Sequence, residues 1–298
     1  WRPPHLNNAL FWRNKRRGGR LAALDQSLDQ TMNRNGVEDY MKYAAFTGPF
    51  MAHSMHETIR IIKELGFDGI EIACREPHLA PETSKQRVLE MKQLIEEAGL
   101  EVPALAGYLG RFSTESDAEC EKTVQAFEKL LAHAVTLGAK MVRVSPGGPN
   151  GFKANDYHYM KAAHWLDRCA EAAKPYGIDI VLEIHNQTII ETAEECRKLR
   201  GLIQSENVGF IHDAGNMFIT DTDYGRESVV QLGDTLKHVH VKDVKRVAQV
   251  GEPGTFKNLT KHGEESFMLC RLGEGEADHQ PLFDALAETG YDGWISLE

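Results

Sequence analysis

The chain has 298 residues, 42% hydrophobic and 26% charged, with a formal net charge of −10. This is the balance of a globular protein with ample chain for a large core, and it excludes a disordered or collagenous chain. The acidic surplus argues against nucleic acid as a partner, and no apolar run reaches the length of a membrane span.

Residues 1–40 read as an extension ahead of one domain, 41–298. The basic run RNKRRGGR (13–20) suits a solvated tail, because no apolar stretch follows it as a secretory signal requires. Leu21, Leu24, Leu28 and Met32 recur at roughly helical spacing. A helix there would close the groove between the last strand and the first; the alternative is a disordered tail. Five cysteines are widely spaced with no CxxC, which points to reduced packing residues in a cytoplasmic protein.

From residue 41 onward, short strands and amphipathic helices alternate. Strands are expected near 42–47, 69–74, 102–106, 140–145, 179–184, 208–213, 237–242 and 293–298. Helices are expected near 55–65, 83–98, 117–137, 156–176, 190–203, 226–233 and 280–289. A glycine separates helix from strand in ELGFDGIEI, EAGLEVPAL, TLGAKMVRV, PYGIDIVLEI and ETGYDGWISL. Glycine suits the left-handed position that ends a helix. Gly66, Gly99, Gly138 and Gly177 stand 33, 39 and 39 residues apart, the size of a βα unit.

Strands apolar on both faces, each followed by a helix, predict an α/β fold: a (β/α)8 TIM barrel. A doubly wound sheet is the rival, but no GxGxxG follows a strand. The sequence stops at Glu298, beside the eighth strand, so a barrel without its eighth helix is expected. The groove so exposed predicts a homo-oligomer, dimer or tetramer. Residues 246–279 are expected to form a long loop, either a lid or a passive insertion.

In such a barrel, chemistry sits at the C-terminal strand ends. Four consecutive strands deliver metal-capable groups there: Glu183, Asp213, His240 and Glu298. Three clustered carboxylates repel one another and take up protons unless a cation compensates them. Their oxygen-rich set suits one divalent ion: Mn2+ first, with Mg2+, Co2+ or Zn2+ as alternatives. His185, Lys242, Arg143, Asn216 and His78, with Glu76 beside it, are candidate substrate contacts. In HVHVKD, His238 falls one pleat below His240 and reads as core. For Arg143, an ion pair with Glu71 or Glu183 is the structural alternative.

GFDGIEI, VRVSPGG, VLEIHN, IHDAGNM, LKHVHVKD and LGEGEAD…GYDGWISLE resemble the xylose isomerase-like barrel superfamily. They look most like its sugar phosphate isomerase/epimerase branch, over about residues 41–298. The resemblance implies that Glu183, Asp213, His240 and Glu298 are the metal ligands, with Glu183 and Glu298 also moving the proton. It implies an isomerase or epimerase of a sugar or keto-polyol, working through proton abstraction α to a carbonyl and a metal-stabilised enediolate.

The runner-up is a lyase or dehydratase on the same scaffold, acting on a keto-inositol, dehydroshikimate or a 3-keto-glycoside. Asn216 stands where many relatives carry histidine, so their keto-hexose pocket is not carried over. The branch that cleaves abasic DNA with three zinc ions needs histidines that LAGYLGRF does not supply. A partner subunit without chemistry is disfavoured by the intact ligand set. The expected substrate is a small carbohydrate without phosphate, since no glycine-rich phosphate loop follows the last two strands.

Overall fold

The computed structural model describes residues 41–298; the extension, with the helix expected on Leu21–Met32, lies outside the described residues. The barrel strands are β1 (Lys42–Phe46), β2 (Gly69–Cys74), β3 (Ala104–Gly107), β4 (Met141–Arg143), β5 (Asp179–Glu183), β6 (Val208–Asp213), β7 (Leu236–Val241) and β11 (Trp294–Leu297). All pair in parallel, and β11 closes the ring between β7 and β1. The helices are α1 (Met55–Leu65), α2 (Lys85–Glu97), α3 (Asp117–Leu137), α4 (Asp156–Ala173), α5 (Ala193–Arg200), α6 (Ala214–Ile219), α7 (Arg226–Leu232) and α8 (Gln280–Glu288). This is the expected TIM barrel. None of these helices is long and apolar enough to cross a membrane.

The local signals act as their chemistry requires. The side chains of Ser54, Ser84, Ser116 and Thr192 each accept the backbone N–H three residues on, capping α1, α2, α3 and α5. Gly66, Gly138 and Gly177 end their helical segments at φ of 84°, 78° and 63°. Nothing lies within 4 Å of a Cβ built on any of the three, so the backbone angle, and not crowding, selects glycine.

Strand alternation then sorts the side chains. Ile70, Ile72, Ile180, Leu182, Val239 and Val241 face outward into the core shared with the helices. Inside the barrel, Ala104, Met141, Val181 and Ile211 form an apolar plug. Two residues further along β4, β5 and β6, the inner face turns polar, at Arg143, Glu183 and Asp213.

The segment expected as a loop is instead an antiparallel sheet. β8 (Asp243–Arg246), β9 (Thr255–Thr260) and β10 (Gly263–Cys270) lie in the order β8-β10-β9. Phe256 and Phe267 pair across β9 and β10 with ring centroids 5.8 Å apart, and pack on Ile219 and Val244. The sheet rests on the rim: Gln187 donates to Asn258 Oδ1 at 2.7 Å, and Asn150 to the Leu259 carbonyl at 3.0 Å. Its Gly, Lys and Glu content hid a strand pattern that only two phenylalanines carry. The six-residue α6 is also too short to show a helical period.

Asp243 ties this sheet to the barrel. Its buried carboxylate accepts backbone N–H groups from Val244 (2.9 Å), Gly273 (2.8 Å), Gly275 (2.9 Å) and Ala277 (3.3 Å). Replacing it by alanine leaves two buried donors, the Val244 and Ala277 N–H groups, unpaired, each costing about 1–3 kcal/mol. Asp243→Ala is therefore expected to lose about 3 kcal/mol or more, read from the urea midpoint. A midpoint equal to the parent's would remove Asp243 from this role.

Candidate metal centre and active site

The inner ends of β5, β6, β7 and β11 converge at the barrel mouth. One ligand atom each from Glu183, Asp213, His240 and Glu298 lies within 4.8 Å of the others. From His240 Nδ1, Glu298 Oε1 is 3.2 Å away, Glu183 Oε1 3.7 Å and Asp213 Oδ2 3.9 Å. His240 and Asp213 are wholly buried. Yet among the described residues His240 Nδ1 makes no hydrogen bond, although buried polar atoms ordinarily find a partner, and Asp213 Oδ2 meets only the Lys242 ammonium. An imidazole nitrogen left open among three carboxylates is what a cation would satisfy. The donor set fits a metal ion.

The motif around Asp213 explains its residues. Asp213 caps α6, with Oδ1 accepting from Asn216 N–H at 2.8 Å, so only Oδ2 is left for an ion. A Cβ on Gly215 would stand 2.5 Å from Lys242 Cγ and 2.9 Å from its carbonyl oxygen. Glycine here gives Lys242 its passage. Asn216 Nδ2 donates to Glu183 Oε1 at 2.9 Å and to the Ile184 carbonyl at 3.1 Å. Asn216 thus holds a ligand carboxylate.

The carboxylates are compensated from within. Arg143 forms a buried ion pair with Glu183 and donates Nε–H to the Gly107 carbonyl at 3.1 Å. Of its two expected partners, Arg143 takes Glu183. Lys242 Nζ stands 2.7 Å from Asp213 Oδ2, 2.6 Å from Glu298 Oε2 and 3.7 Å from Glu183 Oε1. Burial alone would raise Glu298, but the Lys242 ammonium and His240 draw it down to about 2. Burial dominates at Asp213, whose carboxyl is pushed up to about 7 even with Lys242 beside it.

Glu71 on β2 was considered from sequence only as an ion-pair partner. It is wholly buried and accepts from both β7 histidines: His238 Nε2 at 2.9 Å and His240 Nε2 at 3.0 Å. Holding Nε2 of His240 fixes the ring and leaves Nδ1 for a metal, the carboxylate–histidine arrangement that orients metal ligands. His238 also contacts Ser296 Oγ at 3.0 Å and is core, as expected. The signal was Glu71 on the inner face of GIEIAC, level with the histidines once the barrel closes.

Other candidates divide. His185 is exposed at the rim, two residues beyond Glu183, with Nδ1 2.7 Å from the Asn186 carbonyl. His78 is built into the β1–β2 rim and offers no ring nitrogen to a substrate. Its ring is buried, with Nδ1 3.0 Å from Thr47 Oγ1 and Nε2 3.2 Å from the His53 carbonyl. Glu76 turns outward and pairs with Arg87 at 3.2 Å. Sequence reasoning passed over Tyr108, the residue after β3, whose ring lies 4.8 Å from the Arg143 guanidinium. Its place just past a strand end was the available signal.

Two outcomes are expected in calorimetric titration with Mn2+. Glu71→Gln should weaken binding about 10- to 100-fold, because a neutral amide replaces the carboxylate that orients the His240 ring. Ligands must also be deprotonated to bind. With Asp213 at about 7, affinity should hold above that pH and fall at least roughly tenfold per unit below it. A flat profile between pH 8 and 6 would remove Asp213 from the ligand set.

The profile of the xylose isomerase-like TIM barrel family matches residues 59–298. An inosose dehydratase of Lactiplantibacillus plantarum is 31% identical over 195 residues, covering 60% of this chain and 63% of that protein. The chain thus covers less than two thirds of that relative's length. An inosose dehydratase of Clostridium botulinum (strain Alaska E43 / Type E3) is 27% identical over 249 residues, 78% of each. Among solved structures, the probable 3-DHS dehydratase AsbF of Bacillus anthracis superposes with a TM-score of 0.71 at 19% identity, covering 87% of this chain and 92% of that one. D-psicose 3-epimerase of Clostridium cellulolyticum H10 gives 0.67 at 18%, covering 87% and 84%. These two likenesses show a shared fold. With its family profile matched from the first barrel helix to the last residue, the chain belongs to the xylose isomerase-like TIM barrel family.

Proposed function

We propose that the chain is a divalent-metal-dependent lyase that removes water from a cyclic polyhydroxy ketone of the keto-inositol kind. The observation that carries this is the contrast between His185 and Glu183. A carbonyl only accepts hydrogen bonds, so the contact with the Asn186 carbonyl places the His185 proton on Nδ1. Among the described residues the Nε2 lone pair then has no partner at the exposed rim, two residues from a ligand. Glu183, by contrast, has both oxygens held, one by Arg143 and one by Asn216. A glutamate so engaged suits a ligand better than a mobile base. The expected pair of proton-moving glutamates, Glu183 and Glu298, gives way to a single imidazole. Epimerisation through two bases needs a free group on each face of the carbon; elimination needs one.

A divalent cation held by Glu183, Asp213, His240 and Glu298, Mn2+ by preference, supplies Lewis-acid polarisation of the substrate carbonyl when bound. His185 Nε2 takes the hydrogen α to that carbonyl. The electron pair left on carbon forms a carbon–carbon double bond as the β C–O bond breaks. The departing hydroxyl takes the proton from the His185 imidazolium and leaves as water, so His185 ends neutral. Lys242 is held protonated against its burial by Asp213, Glu298 and Glu183, and keeps a fixed positive charge beside the developing anion. The similarity to inosose dehydratases supports the reading. The proposal also retains, from the sequence, a small carbohydrate-like substrate, no nucleic-acid partner and a homo-oligomer.

The test is NMR in D2O with the Mn2+-loaded chain and a panel of keto-inositols, ketohexoses and 3-keto-glycosides. Loss of water from a keto-polyol is expected. His185→Gln should lower kcat about 10²- to 10⁴-fold while Mn2+ affinity is retained. A substrate returned as its epimer with deuterium on carbon would overturn the lyase in favour of the epimerase.

A further inference from the structure

We infer that Glu191 is a positioning residue for His185, acting through the peptide group between Asn186 and Gln187. The inference rests on the reading of His185 as the base of the elimination.

One planar unit connects the two side chains. A trans peptide points its C=O and its N–H to opposite sides. On one side the Asn186 carbonyl accepts from His185 Nδ1 at 2.7 Å. On the other the Gln187 N–H donates to Glu191 Oε1, also at 2.7 Å. Glu191 thus holds the far end of the group that orients the imidazole. The backbone is bent to allow this. Gln187 has a φ of 64°, in the left-handed region that residues other than glycine seldom enter. Such a conformation persists where its surroundings impose it. Two contacts do so here: Glu191 holds the Gln187 N–H, and Asn258 Oδ1 holds the Gln187 side chain at 2.7 Å.

Glu191 is itself firmly set. It is buried, and its carboxylate also accepts from Asn150 Nδ2 at 2.8 Å and from the Gly151 N–H at 3.0 Å. Burial pushes the carboxyl up, and the three donors draw it back toward the ionised form. Its own N–H donates to Glu195 Oε2 at 2.7 Å, and its carbonyl accepts from Thr220 Oγ1 at 3.3 Å. The backbone of His185 is fixed as well. Its N–H donates to the Ile190 carbonyl at 3.2 Å, and its carbonyl accepts from Thr188 Oγ1 at 2.8 Å. What is left to set at His185 is the turn of the ring and the nitrogen that carries the proton. The Asn186 carbonyl sets both. Hydrogen bonds in a chain polarise one another, so a carboxylate behind the N–H makes that carbonyl a stronger acceptor. Nδ1 then keeps the proton, and Nε2 stays open as the base.

The test is 15N NMR of the Mg2+-loaded chain, a diamagnetic form, with His185→Gln identifying the signal. At about pH 8, above the ordinary imidazole range, the spectrum reads which nitrogen is protonated. The parent is expected to carry the proton on Nδ1. Glu191→Ala should mix the two tautomers and lower kcat about 10- to 100-fold, with KM and Mg2+ affinity unchanged. Glu191→Gln, whose amide oxygen still accepts the Gln187 N–H, should keep most of the Nδ1–H form. Asn150→Ala breaks another contact of the same carboxylate and should lower Tm without moving the tautomer. Glu191→Asp draws the carboxylate back from Gln187 and should shift the tautomer even if Glu191→Ala fails to fold. A parent protonated on Nε2 overturns the inference, as does the parent tautomer retained in Glu191→Ala or, should that variant not fold, in Glu191→Asp. A shift in Asn150→Ala as large as in the Glu191 variants also overturns it, because any loosening of the loop would then suffice. The tautomer is read without turnover, so the two readings fail separately. The expected shift without loss of water from any keto-polyol sinks the lyase and keeps the positioning role. Loss of water with no shift does the reverse.

Discussion

Four carboxylates share the inside of one barrel mouth, and most of the site's remaining features compensate them. A buried ionised carboxylate costs several kcal/mol unless charges or hydrogen bonds replace its water. Glu71 is wholly buried and takes two imidazole contacts. Glu183 takes a guanidinium and an amide. Asp213 and Glu298 share the Lys242 ammonium. The demand extends into the backbone, since Lys242 reaches them only where Gly215 leaves room. What stays open is informative: His240 Nδ1, without a hydrogen bond among the described residues and facing Asp213, Glu183 and Glu298, marks where a cation fits.

The same strands carry two unlike duties. Their outward residues bury apolar area against the helices, and that area supplies the stability. Their inward residues are apolar only at the plug, and further along become charged. A barrel tolerates this because stability and chemistry lie on opposite sides of the same backbone. The added sheet follows a similar division. Asp243 secures it through backbone N–H groups, while the next residue back, Lys242, serves the site. The polypeptide around Lys242 is held on the other side as well, by His279 at 3.1 Å from its carbonyl.

Within such a scaffold, proton abstraction beside a polarised carbonyl begins epimerisation, isomerisation and elimination alike. The ligand set therefore cannot decide among them. Beside that set stand rim residues just beyond the strands: His185 after β5, Tyr108 after β3 and Arg75 after β2. Each is exposed, and each is positioned by a neighbour, a carbonyl for the imidazole and a ring–guanidinium stack for the other two. Rigid strands fix the ligand set, and loops carry the groups that stand beside it.

How much was legible follows from the range of each signal. Helix caps, the terminating glycines and the two strand faces are local, so the barrel, its element order and the four converging groups were all readable along the chain. Asp213, His240 and Glu298 announced themselves as polar residues in register at the ends of apolar strands. Contacts between distant strands were not readable. Nothing near Glu71 in sequence says that it meets His240, 169 residues away, rather than Arg143. Nothing near His78 says that Thr47 and His53 occupy both of its nitrogens. The sheet at 243–270 was hidden because its pairing rests on two phenylalanines and on an anchor, Asp243, that outwardly resembles another rim acid. By itself the sequence determined which residues share a face, because backbone geometry has a fixed period. Only the closed barrel decided which faces meet, because hydrogen-bond partners are chosen by proximity in space.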